Sequence, residues 1–128
     1  MPLKNGNIYA QTVIGPIAPD QLGVTLTHEH LIMDGRCNWI EPPSNYSFLS
    51  YAQITPDIAY NLRHNPQYSQ PNLELDDECA AIEDLAKFVT IGGNSIVDLT
   101  SIGLSPQPSK LLLISLNTGA KTELEPKA

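Results

Sequence analysis

The segment His28-Glu29-His30 places two imidazoles two residues apart in the chain. It ends a run of strand-forming residues that begins at Val24, and side chains alternate along a strand. We therefore expect both histidines to point the same way at the carboxyl end of this strand, on one face with Val24 and Leu26. Two imidazoles placed so can share a divalent ion such as zinc. The alternative is a hydrogen-bonded polar pair that holds no metal.

The other candidate residues carry weaker signals. Asp98 lies among apolar neighbours, and the sequence leaves open whether it supports a metal ligand or is a buried structural carboxylate. Glu29 faces away from the histidines by strand alternation, so we do not expect it to bind the metal. His64 lies in a proline-rich segment and is expected to be an exposed loop residue. Asp34 follows the strand and is expected to be a turn residue.

Apolar periodicity predicts the elements that position these residues. Residues 76–90 carry apolar side chains at helical spacing, and residues 95–100 form a short apolar run typical of a buried parallel strand. Residues 108–118 predict a second helix, with Pro108 near its start and Gly119 just past its end. The order strand, long segment, helix, strand, loop, helix is typical of a parallel sheet covered by helices.

The remaining segments are less regular. Residues 7–14 predict an N-terminal strand that can be half of a small hairpin, and residues 19–23 predict one helical turn. Residues 34–72 are polar and interrupted by prolines, which predicts a long loop insertion with a short helix over residues 55–62. The tail, residues 120–128, diverges from the pattern and lacks apolar strand character, so we expect no third strand there.

Composition excludes several classes of function. The 128 residues include 7 basic and 14 acidic side chains, which give a net charge of −7. Such a surface repels nucleic acid and anionic membranes, so we expect neither as a partner. Cys37 and Cys79 form no disulfide framework and are expected to be reduced thiols. The sequence shows no secretory signal and no apolar run long enough to span a membrane, and we expect a cytoplasmic protein.

Two blocks of the sequence resemble the phosphotriesterase family of the amidohydrolase superfamily. Residues 12–17 and 22–31, which include Gly-Val-Thr-Leu-Thr-His-Glu-His, are similar to the opening of that family. Residues 92–103 are similar to its second strand and the loop that follows. The segment between them is most similar to the phosphotriesterase-related branch. The resemblance extends from about Gln11 to Gly119.

The resemblance implies an α/β fold, namely the N-terminal part of a (β/α)8 TIM barrel with about two βα units after a short strand or hairpin. Residues 1–128 would then form a single partial domain. In this family a binuclear metal centre, here expected to contain zinc, generates the hydroxide that attacks a small-molecule ester or amide. The bonds cleaved include phosphotriesters, lactones, carboxylic esters and amides. The resemblance assigns His28 and His30 to the more buried metal.

This sequence also departs from the family pattern. The bridging carboxylate, two further histidines and a metal-binding Asp belong to later strands, and residues 105–108 stand where an Arg-Asp pair is common. We therefore expect a truncated chain that is inactive alone and whose open sheet can pair with a second copy or a complementing chain. Two alternatives remain: a non-catalytic interaction module, and a small metal-binding domain that uses the His-x-His pair.

Overall fold

A five-stranded sheet with two helices packed against it carries the histidine pair. The computed structural model describes residues 8–124. The strands are β1 (Ala10–Thr12), β2 (Gly15–Ile17), β3 (Thr25–Glu29), β4 (Met33–Asp34), β5 (Glu74–Leu75), β6 (Ser95–Asp98) and β7 (Lys121–Leu124). The helices are α1 (Ala59–His64), α2 (Glu78–Thr90) and α3 (Pro108–Thr118). None of the described helices combines the length and hydropathy that a membrane crossing requires.

The strand order in the sheet is β2-β1-β7-β6-β3. Strands β3, β6 and β7 run parallel, and α2 and α3 form the crossovers between them. The N-terminal hairpin β1–β2 lies antiparallel against β7. The predicted βαβα order and the N-terminal hairpin are therefore confirmed, although Asn7 lies outside the described residues.

Capping residues account for the observed start of α2 and for both ends of α3. The Oδ1 atom of Asp77 accepts a hydrogen bond from Ala80 N at 3.0 Å, so α2 begins at Glu78 rather than at residue 76. Helix α3 begins at Pro108, whose missing N–H costs nothing in the first turn, and ends before Gly119, whose φ of 76° favours glycine. The predicted range of α3 is confirmed.

One apolar cluster joins the helices to the sheet. Its buried members come from β6, the two helices and the segments beside β3 and β7: Ile32, Leu85, Ile96, Leu111, Ile114 and Ala120. Leu111 and Ile114 have no exposed surface. Each fully buried aliphatic side chain of this kind contributes about 1.5–3 kcal/mol relative to an exposed one. This cluster therefore holds β6 and its neighbours in place behind the histidines.

The expectation that no third strand begins in the tail is wrong, because Lys121–Leu124 forms β7. Its backbone pairs along the whole of β6, and Val13 N donates to Thr122 O at 2.9 Å from the other side. The side chain of Thr122 is fully buried, and its hydroxyl pairs with that of Ser115 at 2.7 Å. Strand β7 therefore forms without an apolar pattern, because its backbone has partners on both sides and its buried hydroxyl is hydrogen-bonded. Residues 125–128 lie outside the described residues.

A bulge in β3 corrects the predicted strand face. Leu26 pairs with Ile96 and Glu29 pairs with Asp98, so β3 has one more residue than β6 between the two pairs. Paired residues of parallel strands project to the same side of a sheet, and an extra residue shifts the alternation by one. Leu26 and Glu29 therefore share a side, and the prediction that Leu26 lies on the histidine face is wrong.

The predicted loop insertion is a compact segment with its own turns. Between Gly35 and Leu73 the chain forms α1 and several short 3-10 helices, many of which start at a proline. Strands β4 and β5 pair antiparallel, Met33 with Leu75 and Asp34 with Glu74, and so bring the two ends of the segment together. We call residues 35–73 the long segment and the β4–β5 pair its neck.

Candidate metal centre

The two histidines lie side by side at the carboxyl end of β3. Their ring centroids are 5.5 Å apart and the ring planes are nearly perpendicular, at 78°. His28 belongs to the strand and is exposed, whereas His30 directly follows it and is half-buried. Glu29 lies between them in the chain and pairs with Asp98 of β6. The expected juxtaposition of the two imidazoles is therefore present.

The end of β6 holds the chain around His30. Thr100 Oγ1 lies 3.0 Å from His30 Nδ1. The residues on either side are held as well: Leu99 N donates to the carbonyl oxygen of Glu29 at 3.0 Å, and Leu31 N donates to the carboxylate of Asp98 at 3.0 Å. His30 is therefore fixed through its ring and through the backbone before and after it.

Asp98 is a buried carboxylate that joins the ends of the two strands. It has no exposed surface, and its Oδ2 atom accepts from Leu31 N. Its Oδ1 atom accepts from Thr100 N at 2.9 Å. Backbone N–H groups thus satisfy both oxygens, which a buried carboxylate requires. Asp98 is therefore a hydrogen-bonded structural carboxylate, and its bond to Leu31 N also supports the backbone next to the candidate ligand His30.

The other candidate residues lie apart from the pair. Asp34 forms an ion pair with Arg36 at 2.7 Å, and this hydrogen bond lowers the pKa of Asp34 from its ordinary value to about 2. His64 is exposed as expected, but it ends α1 instead of lying in a loop, and its Nδ1 is 2.8 Å from the carbonyl oxygen of Tyr60. Within residues 8–124, no group of three or more His, Cys, Asp or Glu side chains is placed to hold a metal ion.

Sequence reasoning did not identify Thr100. It follows β6 by two residues, and its side chain is nearly buried. The available signal is its place just beyond the carboxyl end of the strand that neighbours β3, because such ends meet at one edge of a parallel sheet. A hydroxyl there is within reach of a histidine at the end of β3.

Comparison with known proteins identifies the fold and the family. The chain matches the phosphotriesterase family over residues 8–122, which is most of its length. This chain belongs to the phosphotriesterase family. The resemblance of the sequence blocks is thereby confirmed, and the family is one of metal-dependent hydrolases.

The curated relatives include a named hydrolase and a protein named only for its relation to phosphotriesterase. An N-acetyltaurine hydrolase of Xenopus tropicalis is 42% identical over 110 residues, which are 85% of this chain and 32% of that protein. A phosphotriesterase-related protein of Nematostella vectensis is 39% identical over 113 residues, with the same shares covered. The chain thus spans about one third of the length of the curated relatives it matches.

Solved structures of the family share the architecture. A resiniferatoxin-binding protein from Rhodobacter sphaeroides superposes with a TM-score of 0.86 at 40% identity, over 91% of this chain and 33% of that one. A lactonase from Listeria monocytogenes superposes with a TM-score of 0.60 at 25% identity, over 91% and 27%. The parallel strands β3, β6 and β7 with their helices therefore correspond to part of a TIM barrel, as expected.

The residues present fit part of a family metal centre. Neutral imidazole nitrogen is a common ligand of zinc and related divalent ions. The Nδ1 atom of His30 is engaged by Thr100, and among the described residues no hydrogen bond reaches its Nε2 atom. His28 has only the ring contact with His30 in the same part of the chain. The pair can therefore supply two ligands, and a complete zinc site requires others besides.

Proposed function

We propose that this chain is the first metal-binding part of a hydrolase that cleaves an amide or ester bond in a small molecule. The observation that carries the proposal is the pair of imidazoles, 5.5 Å apart, at the carboxyl end of the first parallel strand. In a β/α barrel that end faces the active site. His28 and His30 would hold a divalent metal, and zinc is the ion that we propose.

The relatives favour an amide bond as the target. Several vertebrate relatives, 36–42% identical to this chain, are named N-acetyltaurine hydrolases. We therefore propose that the whole enzyme acts on an N-acyl amide whose amine part carries an anionic group. A lactone is the second candidate, since the lactonase from Listeria monocytogenes shares the fold at 25% identity.

The chemistry divides between the metal and the chain. A bound zinc ion lowers the pKa of a water ligand to about 7 and so supplies hydroxide near neutral pH. His28 and His30 would hold and orient that ion in the part of the chain described here. Asp98 and the apolar cluster behind it keep the end of β3 in a fixed position, which holds the two imidazoles within reach of one ion.

Zinc binding tests the proposal directly. The purified chain would be freed of metal, titrated with Zn²⁺ and compared with the His28→Ala/His30→Ala double variant. We expect the unmodified chain to bind zinc and the double variant to lose most of that binding, because both imidazole ligands are removed. The His64→Ala variant is the matched control, since His64 is exposed and lies in the long segment. Equal binding by the unmodified chain and the double variant would contradict the proposal.

Activity and assembly measurements separate the alternatives. We expect no turnover of N-acetyltaurine by this chain alone, because the described residues offer no metal-ligand group of three or more. Zinc binding by a monomer without turnover, even when the rest of a family member is added, would favour a small metal-binding domain. A stable assembly of the chain that binds no zinc would favour a non-catalytic interaction module.

A further inference from the structure

The two histidines are held very differently, although they are adjacent on one strand face. His30 has a hydroxyl at 3.0 Å from its Nδ1 atom, whereas His28 is exposed and, among residues 8–124, makes only the ring contact with its neighbour. We propose that Thr100 is a positioning residue that sets the ring orientation and tautomer of His30, so that Nε2 is the atom presented to a metal. This inference rests on the proposed function and adds a residue to it.

The chemistry of neutral imidazole supports this role. One ring nitrogen carries a proton and donates, and the other carries a lone pair that can accept a hydrogen bond or bind a metal. When Nδ1–H donates to Thr100 Oγ1, the lone pair lies on Nε2. Free histidine prefers the opposite tautomer. A hydroxyl can donate or accept, and the proposed arrangement is the one in which Thr100 Oγ1 accepts from Nδ1–H and so favours the form that presents Nε2 to a metal. Ligand histidines in metal sites commonly have such a partner on their second nitrogen.

The position of the Thr100 hydroxyl is itself fixed. Thr100 is 5% exposed, and its backbone N–H donates to Asp98 Oδ1 at 2.9 Å. The other oxygen of the same carboxylate accepts from Leu31 N, the residue after His30. The buried carboxylate of Asp98 therefore fixes the position of two backbone segments. One carries the Thr100 hydroxyl, and the other carries the His30 imidazole. The 3.0 Å contact between them follows from this shared anchor.

Nuclear magnetic resonance of the metal-free, 128-residue chain tests the tautomer. Long-range ¹H–¹⁵N spectra, recorded at a pH at which histidine is neutral, report which ring nitrogen carries the proton. We expect His30 to be the Nδ1–H tautomer and His28 to be a mixture. Thr100→Val keeps the side-chain shape without the hydroxyl and should move His30 toward Nε2–H, whereas Thr100→Ser should retain Nδ1–H. An Nε2–H tautomer for His30 in the unmodified chain would overturn the proposal.

Zinc affinity provides the second measurement, by competition with a chromogenic chelator. We expect Thr100→Val to weaken Zn²⁺ binding roughly ten- to hundredfold, as for other residues that orient a metal-ligand histidine, and Thr100→Ser to stay close to the unmodified chain. Equal affinities for the unmodified chain and Thr100→Val would overturn the role of Thr100 while leaving the proposed function intact.

The two measurements distinguish the two proposals. If the unmodified chain binds no zinc, the proposed function fails, and the tautomer of His30 alone decides whether Thr100 positions the ring. If Thr100→Val does not fold, as judged by circular dichroism, the tautomers of the unmodified chain and of Thr100→Ser decide the question. An Nδ1–H tautomer in both supports the proposal, and an Nε2–H tautomer in either overturns it.

Discussion

The helix-covered sheet and the long segment are built by different means. The sheet region, made of β3, β6, β7, α2 and α3, is joined by the apolar cluster around Ile96, Leu111 and Ile114. The long segment has short turns, and its buried apolar side chains include Leu49 and Leu62, which are not members of that cluster. The buried side chains of the long segment therefore do not belong to the cluster that joins the helices to the sheet.

Hydrogen bonds across the long segment replace regular secondary structure. Ile40 N donates to the carbonyl oxygen of Gln67, and Gln70 N donates to that of Ser50, both at 3.0 Å. The indole N–H of Trp39 donates to the carbonyl oxygen of Tyr68 at 3.3 Å. Such isolated bonds close loops without forming a repeating ladder. The histidines therefore depend on the packed sheet, whereas the long segment is held mainly by hydrogen bonds within itself.

The largest expected effect comes from breaking the sheet region. We expect Leu111→Ala to reduce the free energy of unfolding by about 2–5 kcal/mol, because it leaves a cavity where a side chain has no exposed surface. Urea denaturation followed by circular dichroism measures this change. Leu116→Ala, in the same helix but 69% exposed, should change stability by only about 0.5 kcal/mol or less. Similar losses for both variants would mean that the apolar cluster does not hold the sheet.

A smaller and more local effect is expected in the long segment. Leu49 is fully buried there, so we expect Leu49→Ala to cost about 1–3 kcal/mol and to loosen mainly residues 36–70. Amide hydrogen exchange should show faster exchange at Ile40 and Gln70 with little change in β6. Phe48→Ala is the control, because that neighbouring side chain is 54% exposed. Equal acceleration in β6 would show that the two regions unfold as one unit.

The smallest effect concerns the neck, where Arg36 pairs with Asp34 and with Glu74. The hydrogen bond from Arg36 holds the pKa of Asp34 at about 2, below its ordinary value of 3.8. The pair therefore stabilises the fold above pH 3.8, and this contribution is lost as the pH falls through about 2. The pair is exposed to solvent, so the change in stability should be slight.

A carboxyl titration by nuclear magnetic resonance tests this shift at the neck. We expect Asp34 to titrate near pH 2 in the unmodified chain and at a higher pH in Arg36→Ala, since the side-chain hydrogen bond from the guanidinium is the largest cause of the shift, whereas the backbone N–H of residue 36 still donates to Asp34. Lys87→Ala serves as the control, because Lys87 pairs with Asp84 elsewhere on the surface. An unchanged Asp34 titration in Arg36→Ala would rule out the ion pair as the cause.

Apolar periodicity predicted the regular elements because each of them buries one face, so that its apolar side chains recur at a fixed interval in the sequence. The helix over residues 108–118 and the apolar strand around Ile96 are the clearest cases. Strand β7 was missed because backbone pairing and the Ser115–Thr122 hydroxyl contact stabilise it, and neither leaves a local pattern. The bulge in β3 was missed because register depends on the partner strand.

The histidine pair could be predicted from the chain alone, whereas its support could not. His28 and His30 are two residues apart, so strand geometry brings them together without long-range information. Thr100 and Asp98 reach His30 and Leu31 from about 70 positions away in the sequence. Only the parallel pairing of β3 with β6 makes them neighbours. Metal binding by the pair stays a prediction.

The neck has a consequence for how family members can vary in length at this place. Strands β4 and β5 bring the ends of the long segment together, and a hydrogen bond from Cys37 Sγ to the carbonyl oxygen of Gly103 at 3.1 Å connects the segment to the turn after β6. Doubling the length of a flexible loop raises its closure entropy cost by only about 0.6 kcal/mol. Insertions or deletions between Gly35 and Leu73 can therefore reshape this surface while the histidine-bearing strand end keeps its place.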